Sequence, residues 1–133
     1  MVLDTSAILA ILLNEPEIEA FSAVIEQDSV RLLSAASLVE AAMVVESRYG
    51  EDGGRELDLL LQTAGVEIVA LDARQAEMAR HAFRAFGKGR HAAALNFGDC
   101  FSYALSQVSG EPLLFKGDDF SRTDIRRVSL GQQ

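Results

Sequence analysis

The sequence predicts an α/β fold, a three-layer α/β/α sandwich built on a parallel sheet, and three observations predict it. Short apolar runs alternate with longer amphipathic segments along the whole chain, which is the signature of successive β-α units. The first and last of those runs, Met1-Val2-Leu3 and Pro112-Leu113-Leu114-Phe115, are apolar throughout, and parallel strands of such units should be covered on both faces. The chain has 133 residues, 49% of them hydrophobic, enough for one core and too few for two. Residues 1–133 therefore read as a single domain.

Met1-Val2-Leu3 begins a buried strand that ends at Asp4, and Thr5 or Ser6 opens the helix carrying Ala7 to Leu13. Asn14-Glu15-Pro16 resets the chain, because proline is at ease in the first turn of the helix that follows. Ile18, Phe21 and Ile25 mark the inner face of that helix, and Gln27-Asp28-Ser29 closes it. Val30 to Leu33 is the second strand. Ser34 to Arg48 is a helix in which Ser37-Leu38-Val39-Glu40 fits a capping box. Gly50 supplies its C′ position, and Glu51-Asp52-Gly53-Gly54 reads as a turn. Leu57, Leu60, Leu61 and Ala64 line a further helix stopped by Gly65, and Val66 to Val69 is the third strand.

Asp72 caps a helix whose apolar face is Ala76, Ala79, Phe83 and Phe86, with Gly87 at its end. The basic loop Gly87-Lys88-Gly89-Arg90-His91 is no phosphate-cradling P-loop, because Lys88 is followed by glycine and no glycine stands five residues before Gly87. Phe97, Phe101, Ala104, Leu105 and Val108 then share one face of a helix with Asp99 in its first turn. Pro112 to Phe115 is the fourth strand and Lys116 to Phe120 a turn. Val128 to Leu130 reads as a last edge strand and Gly131-Gln132-Gln133 as a frayed end.

Composition narrows the function. No apolar run reaches the ~20 residues of a membrane span. The first charge is Asp4, so the start lacks the basic region of a secretory signal, and a soluble cytoplasmic protein with no membrane partner is expected. Cys100 is the only cysteine, which excludes an internal disulfide and a cysteine-cluster zinc site and leaves it a packing residue. A formal net charge of −8 argues against non-specific nucleic-acid binding by the chain as a whole. Yet no acid stands between Glu77 and Asp99, while Arg80, Arg84, Lys88 and Arg90 do. That basic stripe is either a polyanion contact or a solvated helix face.

In a parallel sheet, ligands bind outside the carboxyl ends of the strands. Asp4 ends the first strand, Glu40 lies one turn into the helix after the second, Asp99 starts the helix before the fourth, and Asp118 and Asp119 follow the fourth. Each has an innocent explanation alone, as a helix-start or turn residue. Together they gather carboxylates where the cleft should be, and two like charges at ~4 Å repel by about 4 kcal/mol at an effective dielectric of 20. Protons or a cation must offset that. Oxygen donors without cysteine or a nearby histidine select Mg²⁺ or Mn²⁺, ions that serve phosphate chemistry.

Met1-Val2-Leu3-Asp4-Thr5-Ser6-Ala7, Ser37-Leu38-Val39-Glu40, Leu95-Asn96-Phe97-Gly98-Asp99-Cys100 and Leu113-Leu114-Phe115-Lys116-Gly117-Asp118-Asp119-Phe120 resemble, in order, the motifs of the PIN-domain ribonucleases, and more narrowly of the VapC toxins of bacterial type II toxin–antitoxin pairs. The resemblance implies a PIN-like sheet, Mg²⁺- or Mn²⁺-dependent endonucleolytic cleavage of RNA, homodimers, and inhibition by a VapB-type antitoxin. It places Asp4 and Asp99 as metal ligands, Glu40 as a further catalytic acid and Ser6 as the hydroxyl supporting the first. Where the family commonly has an acid two residues before the closing Asp-Phe pair, this chain has Gly117. Asp118 is taken as the fourth catalytic acid and Asp119 as the second choice. Lys88, Arg90 and Arg84 become the expected RNA contacts.

Two phosphate-handling alternatives fail on spacing. A haloacid-dehalogenase phosphatase wants an aspartate where Ser6 stands, and a response-regulator receiver wants an acidic pair near the first strand. The competing reading from a different class is a PIN-like module that binds RNA or a partner without cutting.

Overall fold

In the computed structural model, which describes residues 1–131, the chain alternates short strands and helices in the expected order. The elements are β1 (Val2–Leu3), α1 (Thr5–Leu12), α2 (Ile18–Gln27), β2 (Leu32–Ser34), α3 (Ala35–Thr63), β3 (Glu67–Val69), α4 (Ala73–Phe86), α5 (Phe97–Ser109) and β4 (Leu113–Leu114), followed by a 3₁₀ turn at Phe120–Arg122. The sheet runs β3-β2-β1-β4 with every pair parallel, and Val2 registers against Leu32 on one side and Leu113 on the other.

Strand alternation divides the core in two. Leu3, Leu33 and Leu114 point to the face covered by α1, α2 and α3, packing with Ile8, Phe21, Val45 and Leu57. Val2 and Leu113 point to the other face, where they meet Ala79, Tyr103, Leu105 and Phe115 under α4 and α5. This is the three-layer α/β/α sandwich that the alternation of short apolar runs and amphipathic helices predicts. Among the described residues no helix is long and apolar enough to cross a membrane.

Local structure departs from the sequence reading in three places. The second helix pair is joined by one residue, Gly50, at φ 63° and ψ −150°, so Glu51-Asp52-Gly53-Gly54 is helical and not a turn. Gly53 serves close approach instead: a Cβ there would lie 2.5 Å from the carbonyl oxygen of Val45 on the facing limb. The capping box expected at Ser37–Glu40 does not form. Ser34, the last residue of β2, caps α3 through the N–H of Ala36 (3.2 Å), which leaves Glu40 beyond the first turn. The edge strand at Val128–Leu130 is reduced to a single bridge between Arg127 and Leu113, with the Val128 N–H donating to the Leu113 carbonyl at 2.9 Å. With β4 two residues long, the ladder has nothing further to pair. Of the expected frayed end, Gln132 and Gln133 lie outside the described residues.

Candidate metal-binding carboxylate site

Asp4 is both the residue after β1 and the N-cap of α1, so its side chain is fixed by the helix it starts. Oδ2 accepts the Ser6 N–H (3.0 Å) and the Ser6 hydroxyl (2.6 Å), and Oδ1 accepts the Ser102 hydroxyl (2.6 Å). Asp4 is buried, and three donors are what keep a buried carboxylate in place. The network extends in both directions. Ser37 stands 3.3 Å from Ser102, whose proton is committed to Asp4, so Ser37 is the donor of that pair. Ser6 Oγ accepts the Lys116 N–H at 2.9 Å, which ties the loop after β4 to the first turn of α1.

Asp99 opens α5 in a true capping box. Asn96 Oδ1 accepts the Asp99 N–H (2.9 Å), and Asp99 Oδ2 accepts the Asn96 N–H (3.0 Å). Among the described residues Oδ1 takes no protein donor. The helix-start reading of Asp99 is thus correct and is compatible with a second role. Its carboxyl is pushed up to about 7, first by burial and then by the negative charges of Asp4, Asp119 and Glu40, against the pull of the Asn96 N–H.

Glu40 reaches the same point from α3. Its Oε1 accepts the Thr5 hydroxyl at 2.7 Å, and its Oε2 lies where a side chain on Gly98 would stand: a Cβ built there would be 2.2 Å away. Gly98 has an ordinary helical backbone, so space for Glu40, not conformational freedom, requires glycine. α5 therefore sets three of the carboxylates at once, Asp99 directly, Glu40 through the gap at Gly98 and Asp4 through Ser102.

The loop after β4 carries the two candidates for the fourth acid. Gly117 adopts φ 98°, a left-handed conformation in which an acidic residue would be strained. Asp119 then begins the 3₁₀ turn, and its charge, not that of Asp118, is among those that raise Asp99. The Asp118 carbonyl accepts the Ser121 N–H and hydroxyl.

The donor set consists of carboxylate oxygens only. Among the described residues no three His, Cys, Asp or Glu side chains converge into a ready-made cage. Mg²⁺ does not require such a cage, because it dehydrates reluctantly and is held by one or two carboxylates with several waters. Asp4 Oδ1 retains a lone pair beyond the one given to Ser102, and Asp99 Oδ1 retains both, so the pair fits such an ion. Cys100, next to Asp99, is buried, and burial pushes its thiol up to about 11, which keeps it protonated and inert at neutral pH.

The expected RNA contacts fall on α4 and on the segment between α4 and α5. Arg84 is exposed in the last turn of α4. Lys88 and Arg90 sit in the segment that leads to α5, where the Lys88 N–H donates to the Leu95 carbonyl at 2.9 Å and the Arg90 guanidinium lies 5.2 Å from the centre of the Phe83 ring. The sequence reading missed Thr5, Gly98, Ser37 and Ser102. The available signal was a hydroxyl or glycine next to, or three residues from, a suspected acid.

The PIN domain family profile matches residues 1–126. Ribonuclease VapC30 of Mycobacterium tuberculosis is 58% identical over 130 residues, covering 98% of this chain and 99% of that protein. Among solved structures, that of VapC20 of Mycobacterium tuberculosis, a Sarcin-Ricin loop cleaving toxin, superimposes with a TM-score of 0.76 at 18% identity, covering 96% of this chain and 97% of that one. A toxin–antitoxin complex from Klebsiella pneumoniae gives 0.69 at 17% identity, with 99% and 98% covered. At such identities the superpositions speak for the fold.

Proposed function

This chain belongs to the PIN-domain family, among the VapC ribonucleases, and from that premise we propose that it is the endoribonuclease toxin of a VapBC-type toxin–antitoxin pair, cutting RNA at a Mg²⁺ or Mn²⁺ site on Asp4 and Asp99. The observation that carries the reading is the placing of three carboxylates around the first turns of α5: Asp99 in its capping box, Glu40 against Gly98 beside it, and Asp4 held by Ser102 of the same helix. Such a concentration of charge is unfavourable unless a cation offsets it.

A bound divalent cation supplies activation of a water and neutralisation of charge at the reacting phosphate. The protein's part is positioning. Ser6 and Ser102 hold Asp4 in one orientation, and the capping box holds Asp99 with Oδ1 free. Glu40, anchored to Thr5 by Oε1, presents Oε2 as the acceptor of a proton from the attacking water. Asp119 is the fourth acid in preference to Asp118, because its charge reaches Asp99.

The partners follow from the same chemistry. A cleft of four carboxylates is complementary to an arginine, whose planar fork binds carboxylates bidentately, and a VapB-type antitoxin that seats one there would displace the cation. The likeness to the Klebsiella toxin–antitoxin complex supports such a partner. A homodimer and a cytoplasmic location belong to the same reading.

The test is cleavage of a broad RNA pool while Mg²⁺ or Mn²⁺ is titrated after chelation. Cutting should require the cation and fall roughly a thousandfold or more in Asp4→Asn, a loss of about 4 kcal/mol of transition-state stabilisation. Cleavage that survives chelation refutes the metal site. RNA binding without cutting at any cation concentration would make the chain a binding module.

A further inference from the structure

We propose that Ser37, which touches neither oxygen of Asp4, is a positioning residue for the cation site. Its hydroxyl locks Ser102 onto Asp4 and so fixes the lone pair that Asp4 offers to the ion. The inference rests on the metal-dependent ribonuclease reading and extends it to what sets the affinity for the cation.

Ser37 and Ser102 are 1% and 0% exposed, where α3 meets α5. Neither hydroxyl is needed to begin a helix, because Ser34 caps α3 and Asn96 caps α5. A serine inside a helix readily turns its hydroxyl back onto the carbonyl one turn earlier, as Ser47 does to Met43 at 2.6 Å. Ser102 gives its proton to Asp4 Oδ1 instead, at 2.6 Å. A hydroxyl has one proton, so in the 3.3 Å contact between the two serines Ser37 donates and Ser102 accepts. Donation into the Ser102 oxygen holds that rotor in place and strengthens the bond its own proton makes to Asp4.

The oxygen at the end of this chain is the one that matters for an ion. Oδ2 is filled by Ser6, whose N–H and hydroxyl stand at 3.0 and 2.6 Å. Oδ1 therefore supplies the free lone pair, and the placing of Ser102 decides which one is left. The chain through Ser6 begins at a main-chain group, the Lys116 N–H at 2.9 Å. The chain through Ser102 begins at a side chain, and removing that side chain leaves both hydroxyls on Asp4 in the protein. Glu40 stands outside this chain. The Ser37 carbonyl lies 3.4 Å from Thr5 Oγ1, but the Thr5 proton goes to Glu40 at 2.7 Å.

Ser37→Ala removes the hydroxyl alone, and alanine is smaller and a better helix former than serine, so the variant should fold. The assay is Mn²⁺ binding to the chelated protein without RNA, read from the paramagnetic resonance of the free ion. Groups that hold a metal ligand directly are worth roughly 10- to 100-fold in affinity, and Ser37, one bond further out, should be worth roughly three- to tenfold. The Mn²⁺ needed for half-maximal cleavage should rise by the same factor. Ser102→Ala should weaken binding at least as much, and in that background Ser37→Ala should add nothing, because the chain is already broken.

An unchanged Mn²⁺ affinity in Ser37→Ala overturns the proposal. So does an equal loss in both backgrounds, which would mean that Ser37 acts through packing. Either result, with cation-dependent cleavage intact in the wild type, refutes the role of Ser37 alone. A wild-type chain that binds no Mn²⁺ refutes the metal site and this proposal together.

Discussion

Replacing Asp99 by asparagine should stabilise the cation-free protein, although it removes a residue at the centre of the site. In the folded chain the Asp99 carboxyl holds its proton up to about 7, whereas its ordinary value is 3.8. Folding is therefore favoured by Asp99 in acid and penalised as the pH rises. The loss begins near the unfolded value, grows through the interval and is complete above about 7. At about 1.4 kcal/mol for each pH unit, the full interval corresponds to at most about 4 kcal/mol. Asp99 is partly open to solvent, and screening reduces this to about 2 kcal/mol. Asparagine cannot ionise, and its amide oxygen still accepts the Asn96 N–H that closes the capping box. Urea denaturation in the presence of a chelator should find Asp99→Asn close to the wild type at pH 4 and about 2 kcal/mol more stable at pH 8, or some 5–10 °C in Tm. Adding Mg²⁺ at pH 8 should raise the stability of the wild type and leave the variant unmoved. A stability difference that does not change between pH 4 and pH 8, or a variant less stable at pH 8, would refute the account of crowded carboxylates.

The remaining predictions separate positioning from stability. Gly98→Ala replaces glycine inside a helix, a change worth up to about 1 kcal/mol in favour of alanine. Its new methyl displaces Glu40, so cleavage should fall roughly tenfold or more at near-normal stability, and unchanged cleavage would refute the tie between the two residues. Ser102→Ala leaves Asp4 Oδ1 without its hydroxyl partner in a buried site and should cost about 1–3 kcal/mol in denaturation. If Ser102 positions the carboxylate, half-maximal cleavage should also need more cation while RNA affinity stays the same; a loss of stability alone would make its role purely structural.

The layers of the fold were legible because they depend on local pattern. A run such as Val2-Leu3 or Leu113-Leu114 is apolar on both sides of the chain, and the core uses both sides, Leu3 and Leu114 toward one helical layer and Val2 and Leu113 toward the other. Asp4, Glu40 and Asp99 were legible as candidates for a related reason, since parallel topology brings the ends of strands and the starts of helices to one edge. Which hydroxyl holds which acid was not legible. The hydroxyl of Ser102 is 98 residues from Asp4 and 65 from Ser37, and serine looks alike in sequence whether it faces water or a carboxylate.

Where the reading erred, a local pattern had two physical uses. Ser37-Leu38-Val39-Glu40 has capping-box spacing, but Ser34 ends a strand and starts the helix three residues earlier, and this frees Glu40 to reach Thr5. The glycines at 53 and 54 resemble a turn, yet Gly50 alone makes the reversal and Gly53 lets the two limbs of α3 approach. The same ambiguity governs the fourth acid. Asp118 and Asp119 are equivalent in sequence, and in the structure the charge of Asp119 is among those that raise Asp99.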